Sequence, residues 1–232
     1  MACIEKELTM KPDFYYYSYP CPLNNGIIQD WAIYDSENAK GNASSISMRP
    51  FTENGRNYHM RIRPYIESKD YEYIEKWVDD ERTHALWCAN LIPYPVTKEN
   101  LHAFLERMSV EWTDSAYVAT ETNGKIVGFF CYSINVEDNT GFLKFVIVDS
   151  KKRGTGCGKE MLQLALQYAF NITGVNLVQL NVFEENIAAK YCYEKIGFVE
   201  ECISNDVFQY KDVLWSRCHM IIEKGQFVFN QQ

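Results

Sequence analysis

From residue 60 onward the apolar positions of this chain change period several times. Met60-Arg-Ile-Arg-Pro-Tyr-Ile reads as an opening strand, and Lys69-Asp-Tyr-Glu-Tyr-Ile-Glu-Lys-Trp places a helix near 68–80. An aromatic and proline-rich loop, Trp87 to Pro95, follows, and Thr97 caps a second helix to about Met108. Strands near 115–121 and 125–135 flank a Thr122-Asn-Gly turn, a hairpin signal. A strand at 142–148 precedes a glycine-rich turn and a helix over about 158–171. A strand at 175–182 and a helix at 187–196 come next, and strands near 198–203 and 212–223 close the pattern. Strands and helices interleave without a strict βαβ repeat, which predicts an α+β fold built on one mixed sheet.

Residues 1–59 hold no periodic segment of convincing length and read as an N-terminal extension of unknown role, followed by a folded domain over 60–232. The extension carries the aromatic patch Phe14-Tyr-Tyr-Tyr-Ser-Tyr19, which either packs on the domain or stands apart from it, and Met60 is a candidate internal start. The chain has 232 residues, is 47% hydrophobic, and so can bury a substantial core. Its eight cysteines include no Cys-x-x-Cys pair and its four histidines are scattered, so the spacing predicts no metal site. Several cysteines lie in apolar segments, which suits a reduced, cytoplasmic protein. No apolar run approaches a membrane span, and a net charge of −8 argues against nucleic acid as a partner.

Against that acidic background the run Val146-Ile-Val-Asp-Ser-Lys-Lys-Arg-Gly-Thr-Gly-Cys-Gly-Lys159 concentrates Lys151, Lys152, Arg153 and Lys159 around three glycines, just before an amphipathic helix. Glycines allow close backbone approach, and the first turn of a helix offers unpaired N–H groups, so the segment is an anion cradle. A P-loop does not fit, because Arg153 stands where its first glycine belongs and Glu160 where its hydroxyl belongs. A Gly-x-Gly-x-x-Gly fingerprint fails too, since Lys159 and Met161 occupy the third-glycine positions. What remains is Arg-x-x-Gly-x-Gly at Arg153, Gly156 and Gly158. A second motif follows a helix and a strand later: Asn186, Ala189, Tyr193, Lys195, Gly197 and Phe198, with Asn186 as N-cap and Gly197 as terminating glycine. Asn186, Ala189 and Tyr193 share one helical face.

With both motifs in this order, the chain resembles the GNAT superfamily of acetyl-CoA-dependent N-acetyltransferases over roughly residues 60–223. The resemblance implies a single mixed, largely antiparallel sheet flanked by helices, splayed between two parallel central strands where coenzyme A sits. It implies that Arg153, Gly154, Thr155, Gly156, Cys157, Gly158 and Lys159 hold the pyrophosphate, with Asn186, Ala189 and Tyr193 alongside. Val146 and Val148 would hold the pantetheine arm through their backbone, the Val146 N–H serving as oxyanion donor. Tyr193 would be the general acid for the departing thiolate. Many family members carry a glutamate where this chain has Phe142. Glu137, Glu184, Glu185 and His84 read first as solvated groups, so the general base stays unassigned.

The acceptor is expected to be a primary amine, of a small molecule or a protein N-terminus. The Arg61-Ile-Arg-Pro and Tyr94-Pro-Val-Thr segments resemble the ribosomal-protein N-terminal acetyltransferase branch, which also holds polyamine- and antibiotic-modifying relatives. Trp87 and Tyr94 either contact the acceptor or plug the end of the core. The resemblance implies acetyl-CoA as co-substrate, no metal, and a monomer or homodimer. A non-catalytic acyl-CoA sensor is the alternative reading, favoured by Phe142 and opposed by Tyr193.

Overall fold

The computed structural model describes residues 60–227; the aromatic patch at 14–19 and the rest of the expected extension lie outside them. Seven strands form one sheet in the order β1 (Met60–Pro64), β2 (Ser115–Glu121), β3 (Ile126–Asn135), β4 (Thr140–Val148), β5 (Leu177–Phe183), β7 (Val213–Glu223) and β6 (Val199–Tyr210). Only β4 and β5 run parallel, and every other neighbouring pair is antiparallel. Helices α1 (Glu67–Trp77), α2 (Glu81–Cys88) and α3 (Lys98–Trp112) lie between β1 and β2 in sequence. Helix α4 (Cys157–Gln167) links β4 to β5, and α5 (Ile187–Ile196) links β5 to β6. This is the mixed, helix-flanked sheet expected from the sequence. Among the described residues no helix is long and apolar enough to cross a membrane.

The core lies on both faces of the sheet. Met161, Leu162, Leu166 and Phe170 of the α4 segment pack with Phe130, Leu143 and Leu180 on one face. Ile74, Trp77, Leu101 and Phe104 of α1 and α3 pack with Phe129, Phe145 and Ile147 on the other. Eight consecutive residues of β3, Ile126 to Ser133, are buried, as a strand covered on both faces requires. The β2–β3 turn forms as its sequence predicts: Gly124 has φ +84° and the Lys125 N–H donates to the Asn123 side chain.

Five elements differ from expectation. Helix α1 stops at Trp77, and α3 runs on to Trp112 where an end near Met108 was expected. The helix expected to reach 171 becomes π-helical over Tyr168–Thr173 before Gly174 ends it with φ +76°. Strand β6 runs to Tyr210, absorbing a register shift between Ser204 and Phe208 with Asp206 at φ +54°. Most consequential is α2, which fills the stretch left unassigned after the first helix and takes in Trp87 and Cys88 of the expected loop. Asp80 caps it by accepting from the Thr83 N–H at 2.9 Å, and Ala89 ends it in the left-handed region at φ +49°.

Inside α2, His84 is buried, not solvated. Its Nδ1 lies 3.1 Å from the Asn90 side-chain oxygen and its Nε2 3.3 Å from the Cys88 sulfur. Burial pushes the imidazole below its ordinary value of 6.5 and the Cys88 thiol up to about 11. A neutral imidazole satisfies both contacts, donating to Asn90 and accepting from the thiol.

A depressed histidine pKa contributes stability that is present above pH 6.5 and lost as the pH falls. His219 is depressed by burial as well and acts in the same direction. The melting temperature should therefore drop between pH 7.5 and 5, and His84→Asn should flatten that drop without abolishing it. Identical pH profiles for the two proteins in a fluorescence melt would refute the assignment.

Candidate active site

The central feature is an opening between β4 and β5. Their parallel pairing runs from Thr140↔Leu177 to Leu143↔Leu180 and then ends. From Lys144 on, β4 no longer pairs with β5. The divergence coincides with a bulge in β4: Phe129 pairs with Ile147 but Cys131 with Lys144, so two residues, Phe145 and Val146, oppose Phe130. Phe145 takes φ +51°, a left-handed conformation rare for an aromatic residue. The extra residue shifts the phase of the strand. Leu143 and Val146 pack toward α4, whereas Phe145 and Ile147 pack toward α1 and α3.

A narrow cavity of about 60 Å³ passes through this opening. Leu86 and Trp87 of α2 line it on one side of the sheet, Asn186 and Tyr193 on the other, with Val146 and Asn181 between them. The opening thus brings together three residues expected from the sequence to share a site, Val146, Asn186 and Tyr193.

The glycine-rich turn leads from β4 into α4 at one end of this opening. Asp149 accepts from the Lys151 N–H, and Ser150–Lys152 form a short 3-10 turn. Gly154 and Gly156 follow with φ +77° and +90°. Gly156 is the N-cap of α4, and no side chain caps that helix. Its first N–H groups therefore face the turn with the positive end of the helix dipole behind them. A Cβ at Gly154 or Gly156 would meet no atom within 4 Å, so both positions border open space. An uncapped helix N-terminus beside open space fits the pyrophosphate of coenzyme A.

The cations of the turn are not equivalent. Lys152 is held by Glu121 at 2.5 Å. The Arg153 guanidinium donates to the Trp77 carbonyl at the end of α1, at 3.1 Å, so its side chain ties the turn to α1. Lys151 and Lys159 are exposed. Thr155 donates from its hydroxyl to the Lys152 carbonyl. Cys157 is buried and its thiol is pushed up to about 11, which makes it a packing residue.

Helix α5 forms as its motif predicts. The Asn186 side chain accepts from the Ala189 N–H, and Gly197 ends the helix at φ +115° with N–H bonds back to Tyr193 and Glu194. Tyr193 is buried against Phe198, edge to face at 5.8 Å. Burial, with a smaller contribution from the Cys192 thiol, raises its phenol well above the usual tyrosine range.

The remaining sequence candidates separate. Trp87 is buried and donates from Nε1 to the Phe145 carbonyl at 2.8 Å. Tyr94 is 43% exposed and meets the His84 ring edge-on, apart from the cavity lining. Glu137 sits in the exposed β3–β4 turn, at the far end of β4 from Val146. Glu184 is engaged by Lys190 at 2.5 Å, and Lys190 also reaches Glu200 at 2.8 Å. Glu185 buries one carboxylate oxygen that has no hydrogen-bond partner.

Three groups near the opening escaped sequence reasoning. Lys144 lines the cavity and pairs with buried Asp114 at 2.7 Å. Asn181 lines it too and meets Nδ1 of His219 at 2.9 Å. The His219 ring lies 6.4 Å from that of Phe142, beside the place where a glutamate was expected from the family pattern. These contacts cross strands distant in sequence, so no local spacing announces them.

Comparison with known proteins agrees with this geometry. Residues 74–198 match the model of the Acetyltransferase (GNAT) family. A spermine/spermidine N(1)-acetyltransferase of Bacillus subtilis is 32% identical over 81 residues, covering 32% of this chain and 53% of that protein. A spermidine N(1)-acetyltransferase of Vibrio cholerae is 36% identical over 56 residues, covering 24% of this chain and 32% of that protein. The chain thus spans about half the length, or less, of these curated relatives. The fold is also that of the Vibrio cholerae spermidine N-acetyltransferase solved with CoA and spermine: TM-score 0.63, 20% identity, 73% of this chain and 98% of the other. The named relatives are polyamine acetyltransferases, and the ribosomal-protein branch expected from the sequence finds no support among them.

The cradle makes a direct test possible. Gly156→Val forces a β-branched residue into a positive φ, at a cost of roughly 1–2 kcal/mol, and fills the open space before α4. A saturating ligand at ~100 times its Kd stabilises a protein by about 2.7 kcal/mol. Acetyl-CoA should therefore raise the melting temperature of the wild type but not of Gly156→Val. An equal rise in both would place the cofactor elsewhere.

Proposed function

Because this chain belongs to the Acetyltransferase (GNAT) family, we propose that it is an acetyl-CoA-dependent N-acetyltransferase acting on primary alkyl amines, with polyamines as the leading acceptor class. The observation that carries the proposal is the opening between β4 and β5, with an uncapped helix N-terminus at its end and Val146 and Tyr193 on its walls. The polyamine class rests on the relatives. It is weakly favoured by the chain's net charge of −8, which attracts cations.

In this mechanism acetyl-CoA supplies the acyl thioester, and the backbone of Gly154 to Lys159 holds its pyrophosphate. Asn186 and Ala189, on the face of α5 shared with Tyr193, flank the cofactor. Unpaired backbone at Val146 and Val148 holds the pantetheine arm as an added strand. The Val146 N–H donates to the carbonyl oxygen as negative charge develops there. Tyr193 stands on the far side, neutral at any working pH because burial raises its pKa. A phenol that resists ionisation serves best as a hydrogen-bond donor to the departing thiolate.

The amine must lose its proton before it attacks. An alkylammonium has a pKa near ~10, and among the described residues no carboxylate lines the cavity. In this reading the proton goes to solvent, and the reactive species is the small neutral fraction of the acceptor.

Two measurements follow. Tyr193→Phe should lower kcat by roughly 100-fold or more while leaving acetyl-CoA affinity within about two-fold; an unchanged rate of thiol release removes Tyr193 from the mechanism. The wild-type kcat/KM for spermidine should climb with pH toward the amine's own pKa. A plateau above pH 7 would instead reveal a base on the protein. A protein that binds acetyl-CoA yet releases no thiol with polyamines, simple alkyl amines or peptide N-termini would be the non-catalytic sensor.

A further inference from the structure

The sequence offers Trp87 two roles, contact with the acceptor or filler at the end of the core. Its indole N–H is engaged in neither. It donates to the Phe145 carbonyl, a buried bond between residues 58 apart in the chain. The ring is fixed from two sides, edge-on to Phe129 at 6.3 Å and to Phe145 at 6.5 Å. Helix α2 is thereby pinned at the bulge of β4.

The amide that accepts this bond is the one whose nitrogen belongs to Val146. A peptide unit is planar, and in its trans form C=O and N–H point in opposite directions. The Phe145–Val146 bond is trans, since among the described residues only Tyr94–Pro95 is cis. A carbonyl drawn toward α2 therefore aims the Val146 N–H away from α2. The backbone needs that restraint, because Phe145 sits at φ +51° without being glycine. Such a conformation persists only where its surroundings over-determine it. Hydrogen bonds through one amide also reinforce each other, since a carbonyl that accepts a bond polarises its own N–H.

We propose that Trp87 is a positioning residue, whose indole N–H fixes and polarises the Phe145–Val146 amide so that the Val146 N–H is a pre-aimed oxyanion donor. The inference rests on the reading of Val146 as that donor. It gives α2 a part in the chemistry that acts through the amide and does not require α2 to touch the reacting atoms.

The test replaces Trp87 in the full chain by 3-benzothienylalanine, which keeps the shape of the ring and lacks only the N–H. Trp87→Phe serves as a second variant. The benzothienyl protein should melt within a few degrees of the wild type. It should lose about 10-fold in kcat with the KM for acetyl-CoA within two-fold, and Trp87→Phe should lose at least as much. In the free protein the Val146 amide 15N resonance should move upfield, a readout independent of turnover. Packing alone would leave both kcat and that resonance of the isostere unchanged, and this outcome overturns the inference while the wild type stays active. A wild type that binds acetyl-CoA but releases no thiol with any amine overturns the enzyme reading itself, and the inference falls with it.

Discussion

Every buried backbone N–H and C=O needs a partner, and a sheet meets that demand by pairing each inner strand on both sides. Strand β4 pairs along its β3 edge from Thr140 to Val148, broken only by the bulge at Phe145 and Val146, but along the other only from Thr140 to Leu143. Beyond that point its β5-facing edge is available to a ligand that can pair like a strand. The glycine-rich turn, the bare N-terminus of α4 and the inward face of α5 are arranged around this interruption. Covering it with ordinary strand pairing would restore a complete sheet and remove the site.

The interruption has a local cause. One extra residue at Phe145 turns the strand and exchanges the faces to which its side chains point. Before it, Lys144 reaches Asp114 on the α3 side; after it, Val146 and Val148 join the core beneath α4. The two sides of the opening then differ in chemistry. Tyr193 and Asn186 close one side with groups that hold or donate protons, whereas α2 closes the other with apolar surface and a single indole.

Chemistry carried by neighbouring residues was legible from the chain alone. Gly156 before an amphipathic helix, Asn186 three residues before the N–H it caps, and Gly197 after the last turn of α5 each act within a few positions. What escaped depended on contacts across the fold. The bulge left no trace, because Phe145-Val-Ile-Val reads as ordinary strand and its left-handed residue is not glycine. Helix α2 was hidden by its aromatic content and the prolines that follow, although Asp80 three residues before Thr83 was a usable cap signal. Strand β6 extends past the expected 203 because a register shift between Ser204 and Phe208 lets its pairing with β7 resume. His84 was misjudged for the same reason as α2: as loop it would be wet, as helix it points inward.

Helix α2 also touches both halves of the divided sheet. Trp87 and Cys88 belong to the core on the β4 side, while Ala85, Leu86 and Ala89 pack with Phe183, Phe208 and Trp215 on the β5–β7 side. Arg82 adds its guanidinium over the Trp215 ring at 5.7 Å. Mechanically, the sheet is a wedge hinged at four residue pairs, and α2 is a strut set across its mouth. Packed interiors barely compress, so the aromatic cluster under the β6–β7 hairpin acts as a shim. Its volume sets how far the wedge stands open, so the width of the opening depends in part on Phe208 and Trp215, which do not line it.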